Sequence, residues 1–203
     1  MRTKLSPKGL RTKNELLETA YALFLERGIH ATSIDDILRV SGKGKSQFYH
    51  YFNNKEDLLH RLLQAHLDEL KQGDAPYNIE VHSWDGLGEW LEKLITFYRS
   101  LGKAKGCILG MIGQEMAPEE ELIRQDLQMI FDLKMKAPKT FFIGLDAQGK
   151  LKSGVTPEQL SDFLLAQIQG SVFLTKVFQD ERITNNSVHL IIDALRSFEV
   201  TSA

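Results

Sequence analysis

Between Leu16 and Leu59 the chain is punctuated at intervals too short for one long helix to run through, and this limits the segment to a cluster of short helices. Leu16, Leu17, Ala20, Leu23 and Phe24 recur at helical spacing, and Gly28 follows where a left-handed cap belongs. That pattern predicts a first helix over Thr12 to Arg27. Ser33 precedes Ile34, Asp35 and Asp36, so a hydroxyl cap with an acid three residues on opens a second helix, 34 to about 41, which Gly42 ends. A third runs from about Lys45 to Tyr51, because Asn54-Lys55-Glu56-Asp57 caps a fourth that continues to about Lys71. Two short helices joined by a tight turn containing glycine fit a helix-turn-helix, whose second member enters the major groove of DNA.

The charge distribution suits that reading. The net charge is −2, yet residues 1–55 hold ten Lys/Arg against five Asp/Glu, while the rest hold fifteen against twenty-two. A cationic head neutralises phosphates and releases counterions, and an acidic body keeps the remainder off the duplex; a chance solvated face would give the same imbalance. Lys43, Lys45 and Ser46 fall at the N-terminus of the third helix, where free amides and the helix dipole favour phosphate. Gln47 can pair bidentately with adenine. Thr32 and Ser33 can donate to phosphate, although Ser33 also reads as a cap alone. The series Arg2, Lys4, Lys8, Arg11 and Lys13 reads either as an arm tracking the minor groove or as a tail.

Beyond the loop from Gly73 to Ser83, helical periodicity resumes over Trp84 to Leu101 and from Ile108 to about Met116. Pro118 followed by three glutamates opens a helix to about Lys136; Thr156-Pro157-Glu158-Gln159 caps another to about Phe178; a last one spans about Asn186 to Phe198. No segment alternates like a strand and no repeat is present, so the expected fold is all-α with nine or ten helices. The expected domains are a three-helix DNA-binding head, 1–55, and a helical effector-binding and dimerisation domain, 56–203. With no apolar run of the ~18 residues a span needs and no leader-like h-region, the chain reads as cytoplasmic, with no membrane partner. A single cysteine excludes an internal disulfide and a cysteine-cluster zinc site, and His30, His50, His60, His66, His82 and His189 show no metal-ligand spacing. No metal and no cofactor are expected.

The string Phe24-x-x-x-Gly28-x-x-x-Thr32-Ser33-Ile34-x-x-Ile37, then Ser41-Gly42, then Phe48-Tyr49-His50-Tyr51-Phe52-x-x-Lys55-Glu56-Asp57-Leu58-Leu59, closely resembles the TetR family of bacterial repressors. The likeness is dense over residues 11–60 and loose beyond. It implies a homodimer that binds a near-palindromic operator by its third helices and releases it when an effector fills the second domain. It also implies phosphate contacts at Tyr49, His50 and Lys55, with Tyr49 open to a partly core role. Two positions depart from the family pattern. Lys43 stands where an apolar residue usually plugs the two helices together, so it must snorkel or reach DNA. Ser46 replaces a usual glycine and adds a side chain where backbone would approach phosphate.

Leu160, Phe163, Leu164, Ile168, Val172, Phe173 and Leu174, with Val188, Ile191, Leu195 and Phe198, resemble the family's dimer interface; simple core is the other reading. Trp90, Tyr98, Met111, Met116, Phe131 and Phe173 are the candidate effector lining on composition, again with core as the alternative. Cys107 follows Lys103-Ala104-Lys105-Gly106 at a helix start, a setting that favours attack on electrophiles or oxidants. Gly106-Cys107-Ile108-Leu109-Gly110, with Gln114-Glu115-Met116, resembles a branch of the family in which this cysteine senses electrophiles or reactive chlorine. In that branch a lysine of the penultimate helix can lie near the thiol, and Lys176 is the candidate. An inert buried cysteine is the alternative. Two further functions compete: an enzyme with Cys107 as nucleophile, for which no base can be assigned, and a helical ligand-binding protein without DNA affinity. The reading adopted is a regulator and not an enzyme.

Overall fold

The computed structural model describes residues 6–101 and 106–200. Among them the chain forms α1 Pro7–Arg27, α2 Ile34–Ser41, α3 Lys45–Tyr51, α4 Lys55–Gln72, α5 Trp84–Ser100, α6 Ile108–Glu115, α7 Glu121–Ala147, α8 Pro157–Phe178 and α9 Arg182–Arg196. The one departure from helix and loop among these residues is an isolated antiparallel bridge between Leu151 and Glu199. The all-α expectation therefore holds. No described helix is long and apolar enough to cross a membrane.

The short helices start where their caps dictate. Ser33 Oγ accepts from the Asp36 amide at 3.1 Å while Asp36 Oδ2 accepts from the Ser33 amide at 3.1 Å, closing the box that opens α2. Gly42 takes φ 67° to end it. Four boundaries differ from expectation. The first helix begins at Pro7 rather than Thr12, because the Ser6 hydroxyl caps it through the Gly9 amide and Pro7 fits the first helical position. Lys8, Arg11 and Lys13 are accordingly helical, whereas Arg2 and Lys4 lie outside the described residues. The Pro118 segment forms a turn, with Glu120 accepting from the Ala117 amide at 2.9 Å, and α7 starts at Glu121. That helix then continues past Lys136 and through Pro138. An interior proline costs about 3 kcal/mol, and the burial of Phe141, Phe142 and Leu145 beyond it, each about 1.5–3 kcal/mol, offsets that. The last helix begins at Arg182, where Asp180 accepts from its amide at 3.0 Å.

Two compact units result. Among the described residues, one holds the chain up to Asp68 together with Ile108–Met129; the other holds Glu69–Cys107 and the chain from Ile130 onward. Helices α4 and α7 contribute to both. In the first unit α1 packs on α2 and α3 around Leu16, Ala20, Phe24, Ile37 and Phe48, all fully buried. In the second, α5 and α8 pack on α9. Trp84 of α5 meets Phe141 edge-on at 5.1 Å and donates its indole N–H to Glu199 at 2.6 Å.

Candidate nucleic-acid interface

The face of α3 is built on two buried rings. Phe48 and Phe52 point inward and contact each other at 5.3 Å, which leaves Lys45, Ser46, Gln47, Tyr49 and His50 exposed on the opposite side. That is the helical period at work: one apolar residue per turn anchors the helix and turns the intervening polar residues outward. Tyr49 is 55% exposed, so it is a surface residue and not core, although its ring edge touches Phe48 at 5.3 Å. His50 stacks edge-on against Tyr51.

Several candidates already hold partners. Gln47 Oε1 accepts from the Gly44 amide at 3.0 Å and so caps its own helix, leaving the amide NH2 outward. Lys45 pairs with Asp35 at 3.1 Å, with both side chains largely in solvent. Lys43 forms an ion pair with Glu15, which ties the turn to α1 in the place where an apolar plug was expected. Ser33 is exposed and caps α2. The carboxylate of Asp36 is held well below the usual range, chiefly by the Ser33 hydroxyl and then by Arg39.

Two expected DNA contacts are instead placed inside the fold. Thr32 is fully buried and its hydroxyl donates to the Gly28 carbonyl at 2.8 Å, so it has no route to a phosphate. Lys55 donates to the carbonyls of Ile29 at 2.9 Å and Thr32 at 3.3 Å, so its ammonium closes the turn between α1 and α2. The same turn is held from another side by a residue that sequence reasoning did not single out. Glu115, at the end of α6, accepts from the amides of Ile29 at 2.9 Å and His30 at 2.8 Å, and its carbonyl contacts His30 Nε2 at 2.8 Å. Gly28 makes this possible: its φ is +88°, and a Cβ there would lie 2.9 Å from Glu115 Oε1. Asp126 of α7, 1% exposed, adds a second anchor in this unit, meeting His60 Nδ1 at 2.5 Å and Gln64 Nε2 at 2.6 Å.

In the second unit Cys107 is buried, with Tyr98 Oη 3.4 Å from its sulfur and the Gln169 amide at 3.8 Å. Tyr98 in turn accepts from Lys134 Nζ at 2.8 Å. Burial raises the Tyr98 phenol well above its ordinary value, and the neighbouring thiol pushes the same way. Burial lowers Lys134, opposed by the thiol. Lys134 was not anticipated, although it sits on the stripe Ile123, Leu127, Ile130, Lys134 at helical spacing, a pattern that places a cation among core residues. Lys176 is exposed, and its stem covers Gly106, where a Cβ would approach its Cδ to 3.1 Å. Lys103 and Lys105 lie outside the described residues.

Two of the aromatic candidates line cavities of the second unit. Trp90 lines a cavity of about 700 Å³ in the second unit, and Tyr98 lines a separate one of about 30 Å³ with Gly106 and Val172. Phe173 is 49% exposed on α8, Phe131 is half-buried on α7, and Met111 and Met116 are half-buried in the first unit. No group of three or more metal-ligating side chains occurs among the described residues.

Comparison with known proteins matches residues 16–62 to the family model for bacterial regulatory proteins of the tetR family. Over 186 residues, covering 90% of this chain and 91% of the relative, it is 24% identical to the transcriptional repressor DhaR of Mycobacterium sp. strain GP1. Over 58 residues, 29% of each chain, it is 43% identical to the repressor KstR2 of Mycobacterium tuberculosis. The fold is that of a TetR transcriptional regulator from Chloroflexus aurantiacus, with a TM-score of 0.77 at 19% identity, covering 97% of this chain and 100% of that one. The outward face of α3, the capped turn before it and these likenesses agree: residues 16–62 match the DNA-binding segment of the tetR family, and the chain is a DNA-binding transcriptional regulator.

Proposed function

We propose that this protein is a homodimeric repressor that holds a near-palindromic operator through α3 and lets go when an electrophile or small molecule acts on its second unit. The observation that carries this reading is the position of α6. The helix starts one residue after Cys107 and ends on Glu115, whose carboxylate holds the amides of the turn that sets α2 and α3. A change at the thiol therefore needs only eight residues of helix to reach the DNA-binding turn. The two states differ in whether Glu115 keeps those amides, which is the differential contact that coupling requires.

Lys45, Ser46, Gln47, Tyr49 and His50 form the DNA face, with Lys43 and Ser33 at its edge. Dimerisation through α8 and α9 is supported by the apolar side chains that a single chain leaves in solvent, among them Phe173, Leu174, Val177, Phe178 and Leu190. The hydrogen-bond partners of Cys107 are a phenol and an amide, neither a general base, which favours a thiol sensor over a cysteine nucleophile of an enzyme.

The test is release from DNA spanning the region upstream of the protein's own gene. N-ethylmaleimide forms a carbon–sulfur bond that dithiothreitol does not undo, whereas hypochlorite oxidises the thiol to a sulfenate that it does. Wild type should release DNA with both, reversibly only with the second, and Cys107→Ser should bind DNA and ignore both. Release that persists in Cys107→Ser removes the thiol from the mechanism. Tight binding unaffected by either reagent leaves a reversible ligand as the effector.

A further inference from the structure

The interior of the second unit holds a buried lysine, with the Cys107 thiol as the acidic group acting on it. Lys134 is 6% exposed, its ammonium lies 5.3 Å from the ring centroid of Tyr77, and it donates to Tyr98 Oη at 2.8 Å. No carboxylate among the described residues lies within ion-pair distance of it. An ammonium has three donors, and among the described residues this one uses one. An aromatic face offsets part of the desolvation of a buried cation, but less than burying an isolated ion costs. Interiors ordinarily remove such a group or pair it.

Lys134 borders the cavity of about 700 Å³, a size that holds a small molecule. Buried Tyr77, Val81 and Trp90 form apolar wall, and exposed Lys71 and Lys136 bring the lining to three lysines. The one acid in that lining, Glu80, faces His82 at 2.9 Å in solvent. The cavity thus joins an apolar wall at Tyr77, Val81 and Trp90 to three lysines against one carboxylate.

We propose that this cavity binds a small organic monoacid, its carboxylate paired with Lys134 and its apolar body against Tyr77 and Trp90. One buried ammonium balances one negative charge, so a monoanion fits where a phosphate dianion would need a second buried cation. This names the ligand class for the effector role proposed above and rests on that reading for its consequence, though not for the binding itself.

The experiment is calorimetric titration of the DNA-free protein with 1-naphthoate, phenylacetate and octanoate, each beside its primary amide. At least one acid should bind tenfold or more tightly than its amide, with a change in tryptophan fluorescence that Trp84→Phe retains. Lys134→Met should erase that preference, and Lys134→Arg should keep it. Acids that bind no better than amides, or a preference that survives in Lys134→Met, overturn the proposal. Lys134→Met should also raise the Tm of the empty protein, since it removes a buried charge while keeping the stem. Should that variant fail to fold, the acid-to-amide ratio in wild type and Lys134→Gln decides the matter. Adding operator DNA separates the two readings. An acid that binds through Lys134 without releasing DNA upholds the site and sinks its effector role, while failure of every acid overturns the site and leaves the Cys107 test standing.

Discussion

Lys45 and Gln47 are adjacent in function but differ in how the fold holds them. The Lys45–Asp35 pair is exposed on both sides, and such pairs contribute about 0–1 kcal/mol. A DNA phosphate can therefore replace Asp35 at little cost. Lys45→Ala should weaken binding evenly across operator variants and lower the slope of log affinity against log salt by about 1, measured by fluorescence anisotropy at several salt concentrations. Gln47 uses its carbonyl oxygen to cap α3 and keeps its NH2 for a base. Gln47→Glu retains the capping oxygen but loses the donor that adenine N7 requires, so base preference should move at one position, by about 1–3 kcal/mol. Selection from a randomised half-site reads this out. A uniform loss at every position would show that Gln47 is not a base reader.

At the scale of elements, the turn between α1 and α2 is an assembly of three partners. Lys55 satisfies its carbonyls, Glu115 satisfies its amides, and Gly28 supplies the backbone that lets Glu115 approach. Removing an acceptor from amides costs about 1–3 kcal/mol. Glu115→Ala should lower stability by that order in thermal melts and weaken operator binding, because α2 and α3 lose their fixed start. Glu115→Gln keeps one acceptor oxygen and should recover most of the stability. Unchanged DNA affinity in Glu115→Ala, with the chain folded, would mean that α6 does not position the reading helix. The glutamate was present in the sequence as part of Gln114-Glu115-Met116, yet its partners lie 85 and 86 residues away, and no local pattern announces a contact of that range.

For the whole molecule, the decisive quantity is the apolar surface that one chain leaves uncovered. Phe178 is 65% exposed and Leu190 67%, values that a soluble monomer seldom shows for large side chains clustered on two helices. Packed on the same helices of a second copy they would form a four-helix bundle. The double substitution Phe178→Asp with Leu190→Asp should yield a folded monomer in light scattering, with operator affinity reduced because two half-sites are no longer bound by one body. A dimer that survives it would move the interface elsewhere.

What the sequence determined by itself is local. Ser33, Gly42, Gln47 and Thr156 carry their capping chemistry within three or four residues, so the short helices and their order are legible, as is the outward polar face of α3. Where the reading stopped short, a distant partner outweighed a local signal. Pro138 failed to end α7 because buried rings beyond it repay the lost hydrogen bond, and Lys55 left the DNA face because two carbonyls of a distant turn needed donors. The burial of Lys134 and the cavity beside it were likewise decided only by tertiary structure. A helical stripe can place a cation inward, but whether an anion meets it there depends on side chains brought together by packing and not by spacing.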